Sequence, residues 1–413
     1  MAARAAGLSG DVRVIGVIAT GHFFGHFYML VLPPLFPILK SEFGVSYTAL
    51  GALVTAFALA SGLLQLPVGF AVDRIGARLV LIGGLAVMAG GIALMGFSTA
   101  YWSLLLLAFV AGLGNSVLHP ADYAILSGSI DGSRLGRAFG IHTFAGNAGW
   151  AAAPPVMIAL ATLWHWRLAL SVVGALGLAV ALLMFSQRHH LGDDSRRAGA
   201  GAAARETAGR TVRGAFALLS SPPILLLFFF FVVTAMVMAG ILSFSVTALV
   251  HLQGIPLTAA NAALTGFLVA GAVGVLIGGV IADRTERYDV VATVGFLVAA
   301  TLFVLIGATE MVVAWTLAGF VLAGLMQGII WPSRDMMVRS LTPRGSSGKV
   351  FGFVSSGLDV GGAVAPLLFG WIIDQGAPQG IFLLTALFML TSLAAAVGAA
   401  RLAQRMRPAL AAE

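Results

Sequence analysis

Residues 112–124 read GLGNSVLHPADYA, and the segment 212 residues later, 324–336, reads GLMQGIIWPSRDM. The two align without a gap, and the same offset brings GRAFGIHTFAGNAGWAAAPP at 136–155 onto GKVFGFVSSGLDVGGAVAPL at 348–367. Chance similarity between apolar segments would not keep glycine, proline and phenylalanine in register over such lengths. We therefore expect two homologous halves, each with the same arrangement of helices.

The composition indicates that both halves lie in a lipid bilayer. The 413 residues are 59% hydrophobic and 9% charged, with a mean hydropathy of +1.00, whereas a soluble domain has about 25% charged residues. Apolar runs such as 79–97, which has no charged residue, and 167–185, whose one charged residue is Arg167 at its start, have the length of roughly 20 residues that a membrane-spanning helix needs. A soluble enzyme or a soluble binding module is excluded on these grounds.

Charge and cysteine content narrow the class further. The chain has no cysteine, which rules out a disulfide framework and thiolate chemistry, and its net charge is +7. Apart from Arg334, the basic residues fall in the loops or near the ends of the apolar spans, so we expect no nucleic-acid partner. The first apolar span continues to Ile38, beyond the short core of a signal peptide, and is interpreted as a retained helix.

Apolar segments separated by short polar loops predict an all-α membrane protein with twelve spans. Pro33, Pro34, Pro120 and Pro332 are expected to permit tilts or kinks in the longer ones. The predicted spans are 12–39, 46–72, 78–97, 101–127, 136–163, 167–187, 222–251, 258–282, 289–308, 311–341, 348–374 and 379–400.

The loop charges predict the orientation. Of the 23 Lys and Arg residues, only Lys40 and Arg167 fall on the side opposite the termini, so the positive-inside rule places both termini in the cytoplasm. The one long linker, 188–221, divides the chain into bundles at 1–187 and 222–413. His189 and His190 in this linker are interpreted as solvated residues rather than metal ligands.

The loop GFAVDRIGAR at 69–78 supplies a family resemblance. It matches the signature loop of the major facilitator superfamily at Gly69, Asp73, Arg74, Gly76 and Arg78, and the second half keeps Gly279, Asp283 and Arg284. The resemblance implies two pseudo-symmetric six-helix bundles around a central cavity, usually as a monomer. It also implies that the signature loop, with Asp73 in it, acts as a latch that holds the cytoplasmic side closed in one state and releases it in the other. The alternative for the basic residues, Arg78 above all, is a simple positive-inside anchor.

Two further stretches resemble parts of that superfamily. The fifth span follows the spacing of the superfamily's antiporter motif at Gly140, Gly149 and Pro154. The eleventh span repeats this pattern, so we interpret its glycines and proline as supporting helix packing and kinking in both halves rather than as evidence of antiport. GLGNSVLHPA followed by a glycine-rich span is similar to the fosmidomycin-resistance type of efflux protein.

Polar residues inside predicted spans are costly in a membrane and are therefore functional candidates. We expect a substrate or proton pathway formed by His22, His26, Asn115, His119, His142, Asn147, Gln327, Arg334 and Asp359. In the family that the chain resembles, spans one, four, seven and ten line the cavity, and most of these residues fall on or beside those spans.

Asp122 and Arg334 occupy equivalent positions in the two halves. One hypothesis is that they pair when the cytoplasmic side closes. The other is that each has local partners, His119 or His142 for Asp122, and Asp335 or a nearby acidic residue for Arg334.

His22 and His26 are one helical turn apart and could carry a proton, bind an anion or ligate a metal, or could simply be buried and hydrogen-bonded. Asp359, at mid-depth, is the leading candidate for a proton carrier; its alternative is an interhelical contact.

These features predict a proton-coupled secondary transporter of a small organic, anionic solute, working by alternating access in the direction of efflux. We expect no cofactor, no resident metal and no enzymatic activity. The alternatives are a divalent-metal exporter that uses His22, His26 and Asp359, and a polytopic membrane enzyme or sensor.

Overall fold

The computed structural model describes residues 2–192, 219–285, 287–341 and 347–410, and within these ranges the regular structure is helical. The helices of the first half are α1 Ala2–Met29, α2 Phe36–Phe43, α3 Tyr47–Ile75, α4 Ala77–Met95, α5 Tyr101–Asn115, α6 Leu118–Ser129, α7 Gly132–Leu163 and α8 Trp166–Ser186. Those of the second half are α9 Pro222–Gln253, α10 Leu257–Arg284, α11 Tyr288–Ala308, α12 Val313–Leu341, α13 Ser347–Asp374 and α14 Gln379–Leu410.

Eleven segments of the described chain are long and apolar enough to cross a bilayer. They coincide with eleven of the twelve predicted spans. The predicted fifth span is α7, a continuous helix of 32 residues that is not among the eleven. Its arginine, histidine and asparagine side chains make it more polar than its neighbours. The molecule is thus an all-α, multi-pass membrane protein.

Two predicted spans are interrupted, and prolines explain both breaks. The first span was expected to continue to residue 39, but α1 ends at Met29 and a 3-10 turn at Pro33–Leu35 precedes α2. The fourth span breaks between α5 and α6 at Ser116 and Val117. Pro120 has no N–H for the carbonyl of Ser116, four residues earlier, so the helix breaks one turn before the proline. Pro332 lies inside α12, which continues through it.

The helices form two compact units. The first comprises Met1–Val45 and Ala52–Ala203, and the second comprises Ser46–Gly51 and Ala204–Glu413. The first turn of α3 therefore groups with the second unit. Most of the predicted linker, residues 193–218, lies outside the described residues.

Close approach of α1 and α7 organises the polar part of the first unit. A Cβ atom at Gly149 would clash with the carbonyl oxygen of Phe23, and one at Gly146 would lie 2.9 Å from Nε2 of His22. Only glycine permits this separation, because any larger residue would push α7 away from α1. The consequence is that α1 and α7 bring their histidine side chains into direct contact.

Candidate functional site

Five polar side chains from three helices of the first unit meet in one group, which we name the histidine–aspartate cluster. His22 and His26 lie one turn apart on α1, His119 and Asp122 lie on α6, and His142 lies on α7. The break before α6 separates the turn that carries His119 and Asp122 from α5, so these two side chains are set by the packing of α6 rather than by α5.

Asp122 is the centre of the cluster. Its side chain is 0% exposed, and its Oδ2 atom lies 2.9 Å from Nδ1 of His22 and 3.0 Å from Nε2 of His142. An ionised carboxylate can only accept hydrogen bonds, so each of these imidazole nitrogens must donate. Asp122 thus connects helices that are 100 and 20 residues away from it in sequence.

The imidazole rings extend this contact. The centroids of His22 and His142 are 3.6 Å apart, those of His22 and His26 are 4.4 Å apart, and those of His22 and His119 are 5.2 Å apart. Trp150 of α7 covers His26 at 4.5 Å between ring centroids. Each titratable ring is therefore adjacent to at least one other, as a chain of proton carriers requires.

Burial is graded across the cluster. His22 and His142 are each 2% exposed, His26 is half-buried, and His119 is exposed beside Tyr123, which is 48% exposed. His119 is thus the most exposed member of the cluster, and Asp122 is the most buried.

Several buried atoms of the cluster lack a hydrogen-bond partner among the described residues. These atoms are Oδ1 of Asp122, Nδ1 of His142 and both ring nitrogens of His26. A buried polar group without a partner is costly, and such groups concentrate where a ligand or a transferred proton completes them. The cluster therefore has unused donor and acceptor capacity.

The same group has the spacing of a cation site. One ligand atom each from His22, Asp122 and His142 lies within 4.8 Å of the others. This set differs from the one expected for metal export, which combined His22 and His26 with Asp359. Asp359 belongs to the second unit, half-buried on α13.

The face of α13 that carries Asp359 follows from helical spacing. Gly357 and Gly361 lie against the backbone of α9, and Asp359, two residues from each, points to the opposite side. Pro366 and Gly370 share the face of Asp359 and contact the first turn of α3. Asp359 is therefore on the side of α13 that meets α3 rather than the side that packs on α9.

Three other expected pathway residues occupy separate positions. Asn115 donates from Nδ2 to Oγ of Ser61 at 2.8 Å, which ties the end of α5 to α3. Asn147 is half-buried on α7. Gln327 is 3% exposed on α12, and both polar atoms of its amide lack a partner within the described chain.

Arg334 lies about two turns beyond Gln327 and one turn beyond Trp331 on α12. Its guanidinium carbon is 4.7 Å from the ring centroid of Phe231 on α9 and 5.5 Å from that of Trp331. Trp331 was not expected from the sequence, although it is the counterpart of His119 in the internal repeat. That equivalence is the signal that could have identified it.

The expected gating residues are only partly described. Arg74 and Arg284 are exposed, and Arg78 donates to the backbone carbonyl of Arg188 at 3.2 Å. The side chains of Asp73 and Asp283 lie outside the described part of the chain. The latch and the alternative role of Arg78 as a positive-inside anchor therefore both stay predictions.

A second polar contact that the sequence did not reveal lies in the second unit. Asp374, at the end of α13, accepts from the backbone N–H groups of Tyr47 and Thr48, both at 2.8 Å, and from the Thr48 hydroxyl at 2.7 Å. The hydroxyl of Tyr47 lies 2.7 Å from Nε2 of His251. A carboxylate at the start of a helix satisfies free N–H groups and interacts favourably with the helix dipole.

Comparisons with known proteins agree with this architecture. The fosmidomycin resistance protein of Escherichia coli (strain K12) is 26% identical over 383 residues, which cover 92% of this chain and 91% of that protein. The probable L-galactonate transporter of the same organism is 27% identical over 156 residues, 37% of this chain. That match spans only 34% of the transporter's length.

The fold and the family follow from two further comparisons. A bacterial homologue of the human lysosomal transporter Spinster, in an inward-facing and occupied conformation, superposes with a TM-score of 0.77 at 16% identity, covering 94% of this chain and 96% of that chain. At that identity the likeness shows the fold alone. The sequence model of the Major Facilitator Superfamily matches residues 18–260 and 232–411. The chain belongs to the major facilitator superfamily, and is a membrane transporter rather than an enzyme.

Proposed function

We propose that the protein is a proton-coupled secondary transporter that exports a small organic anion across the cytoplasmic membrane by alternating access. Both termini would lie in the cytoplasm, and the protein would act as a monomer. The observation that carries the proposal is the fully buried carboxylate of Asp122, shared by His22 and His142 inside a membrane-spanning unit.

The charge balance of the cluster explains how a proton could drive transport. With both imidazoles neutral and Asp122 ionised, the group carries one negative charge, and one added proton makes it neutral. A buried net charge is expensive inside a membrane. The neutral cluster would therefore favour the occluded form, and the charged cluster would favour a form that is open to water.

His119 and Tyr123 support an entry route for this proton. His119 stacks with Tyr123, at 6.2 Å between ring centroids, and Tyr123 lies 5.7 Å from the ring of His142. An imidazole ring has two nitrogens, so it can accept a proton at one and release a proton from the other. Protons would thus pass between the exposed His119 and the buried Asp122 through neighbouring rings.

The anionic nature of the solute is supported from two sides. One relative, which this chain matches over 34% of that relative's length, is named as a probable transporter of L-galactonate, an anion. In this chain, Arg334 provides a cation within a predicted span of the second half. Export is favoured over uptake by the likeness to the fosmidomycin resistance protein, which covers most of both chains.

Asp122→Asn tests the coupling. In proteoliposomes with a trapped pH-sensitive dye, a gradient of an organic anion should move protons with the wild type and not with Asp122→Asn. Counterflow of the radiolabelled anion should persist in the variant, because exchange needs no net proton movement. Asp289→Asn, at an exposed residue of α11, is the matched control and should behave as wild type. Proton movement retained by Asp122→Asn would refute the role of the cluster.

Asp122 and Arg334 are also proposed to pair when the cytoplasmic side closes, as their equivalence in the repeat suggests. Oδ1 of Asp122 has no hydrogen-bond partner within the described ranges, so it could accept from Arg334 while Oδ2 keeps its imidazoles. Because Asp122 is fully buried, α6 would have to move first.

A charge exchange tests this gate. Asp122→Arg and Arg334→Asp should each hinder closure of the cytoplasmic side, and the double variant should restore it, since the pair is restored in reverse. Labelling of a single cysteine in the cytoplasmic half of the predicted pathway with a membrane-impermeant maleimide, from the cytoplasmic side, measures closure without requiring transport. A double variant that is labelled as readily as either single variant contradicts the pairing.

Export of a divalent metal ion is a second candidate, favoured by the 4.8 Å grouping of ligand atoms from His22, Asp122 and His142. Two imidazoles and a carboxylate are suitable ligands for transition metals. Proteoliposomes supplied with Mn²⁺ or Fe²⁺ decide between the candidates. Transport of either ion, with none of organic carboxylates or phosphonates, would replace the anion proposal.

A further inference from the structure

We propose that the first unit binds an anionic phospholipid at a site formed by Arg13, Arg78 and Arg188, which we name the arginine site. The three guanidinium groups hold the phosphate of the lipid, and exposed apolar side chains beside them contact its acyl chains. This inference goes beyond the proposed function, and it depends on neither the solute nor the direction of transport.

A short 3-10 turn after α8, Arg188–His190, brings the three arginines together. On one side of the turn, Nη1 of Arg13 on α1 lies 3.0 Å from Nε2 of His190. Since a guanidinium can only donate, the imidazole nitrogen accepts. On the other side, Nη1 of Arg78 on α4 donates to the backbone carbonyl of Arg188 at 3.2 Å. Three positive charges from separate parts of the chain thus meet at three consecutive residues.

The packing of α4 on α8 places this turn at the end of the two helices. A Cβ atom at Gly174 would clash with the backbone of Ala93, and one at Gly177 would lie 3.0 Å from Cβ of Ala89. Residue numbers therefore fall along α4 as they rise along α8, and this register brings Arg78, at the start of α4, level with the 3-10 turn. Both helices are long and apolar enough to cross a bilayer. The arginine site therefore lies at the level where these spans meet the membrane surface.

The charges of the arginine site are not neutralised by the described part of the chain. None of its members forms an ion pair with a described acidic side chain, and Asp11, two residues before Arg13, is paired with Arg134 instead. Arg188 donates through Nη1 to the carbonyl of Phe185 at 2.9 Å. All three guanidinium groups thus use Nη1 for their contacts within the protein. The edge formed by Nε and Nη2 is left on each, and this edge matches two oxygens of a phosphate.

Exposed apolar side chains adjoin the arginine site. Leu182 and Phe185, near the end of α8, and Leu79, in the first turn of α4, are all exposed. The guanidinium carbon of Arg188 lies 4.1 Å from the ring centroid of Phe185. Cations directly beside apolar side chains at the end of a span match a molecule with a charged head and apolar tails. The occupant is therefore a lipid rather than a free phosphate compound.

The charge balance selects the headgroup. Basic pockets at a membrane surface attract phospholipids with a net negative charge. Phosphatidylethanolamine also carries an ammonium group, and the described residues place no carboxylate beside the arginine site to receive it. Phosphatidylglycerol has the same phosphate with an uncharged glycerol. The arginine site therefore favours a lipid of the phosphatidylglycerol type.

Native mass spectrometry of the purified full chain measures this binding. The protein in detergent is mixed with phosphatidylglycerol, phosphatidylethanolamine or phosphatidylcholine of identical acyl chains, and the fraction with one bound lipid is followed against lipid concentration. The wild type should bind phosphatidylglycerol at least about tenfold more tightly than either zwitterionic lipid. Glycerol 3-phosphate in large excess should not displace it, because this probe has no acyl chains.

Three variants locate the contacts. Arg13→Gln and Arg188→Gln each remove one charge, and Arg188→Gln keeps the backbone carbonyl that Arg78 contacts. Each should weaken binding of phosphatidylglycerol roughly fivefold. Arg13→Lys keeps the charge but loses the paired donors, so its binding should lie between that of Arg13→Gln and that of the wild type. Arg137→Gln, at an exposed residue of α7 at the same end of the predicted spans, is the matched control and should bind as wild type.

The outcomes separate a defined lipid site from the general attraction of a basic surface. An effect of Arg137→Gln as large as that of the site variants, or no effect of Arg13→Gln and Arg188→Gln in variants that circular dichroism and gel filtration show to be folded, overturns the arginine site. Equal binding of the three lipids overturns the choice of headgroup, and displacement by glycerol 3-phosphate overturns the lipid in favour of a soluble phosphate compound. None of these measurements involves solute transport, so each of these failures leaves the proposed function in place.

Discussion

The geometry of the histidine–aspartate cluster depends on the absence of a side chain at Gly146. Gly146 of α7 faces two imidazole rings of α1, where an added Cβ atom would lie 2.9 Å from Nε2 of His22 and 3.0 Å from Cε1 of His26. Neither ring has room to withdraw, because Trp150 lies on one side of His26 and His142 stacks on His22. The geometry of Asp122 thus depends on a residue that carries no functional group.

We expect Gly146→Ala to displace both rings and to uncouple proton movement from solute movement. Overpacking of this kind costs about 1–3 kcal/mol of stability, so the melting temperature should also fall. Gly136→Ala, on the same helix with nothing within 4 Å of its added Cβ, should change neither property. Melting in detergent and the trapped-dye assay measure the two effects. Normal coupling in Gly146→Ala would mean that the ring positions are not critical.

The residues of the cluster could be identified from the sequence, but not their partners. An ionisable side chain in an apolar run is conspicuous, and His22, His119, Asp122 and His142 were all candidates for that reason. The sequence allows a contact between Asp122 and His142 as one of two alternatives, whereas it gives no indication of the contact between Asp122 and His22. Contact between helices 100 residues apart depends on the separation and rotation of α1 and α7, which the glycine pattern suggests but does not determine.

At the scale of helices, the sequence predicted where spans begin and end better than where they break. Prolines at 33, 34, 120 and 332 were all candidates for kinks, yet α12 continues through Pro332 while the fourth span is interrupted before Pro120. Tertiary packing decides which proline disrupts its helix. The internal repeat is thus not exact, and the break belongs only to the half that holds the cluster.

Pro120→Ala should join α5 and α6 into one helix, because it restores the N–H that can bond the carbonyl of Ser116. The join would rotate Asp122 away from His22 and His142, and we expect transport to fall at least about tenfold, as for loss of an acid–base group. The natural chain has no cysteine, so spin labels on cysteines placed at 108 and 126 report the change in their separation.

Pro67→Ala is the control for this experiment, since Pro67 lies inside α3 without breaking it. It should leave both transport and the label separation unchanged. An unaltered separation in Pro120→Ala would show that packing, rather than the missing N–H, causes the break.

At the scale of the whole molecule, charge distribution predicts the orientation in the membrane. The basic residues concentrate on one side of the predicted spans, with Lys40 and Arg167 as the exceptions. Single cysteines introduced at residue 205 and at residue 99 should therefore react oppositely with a membrane-impermeant maleimide. Intact cells should label residue 99 only, and permeabilised cells both. Labelling of residue 205 in intact cells would reverse the orientation.

The two halves share one sequence pattern, yet side chains at equivalent positions carry opposite charge. Asn115, His119 and Asp122 correspond to Gln327, Trp331 and Arg334, so an acidic, titratable set in the first half corresponds to a cationic and aromatic set in the second. If the first set carries the coupled proton and the second set contacts the solute, substitutions in one set can leave the role of the other unchanged. Substitutions in the second half would then change which solute is bound, while the proton-binding residues of the first half stay unaltered.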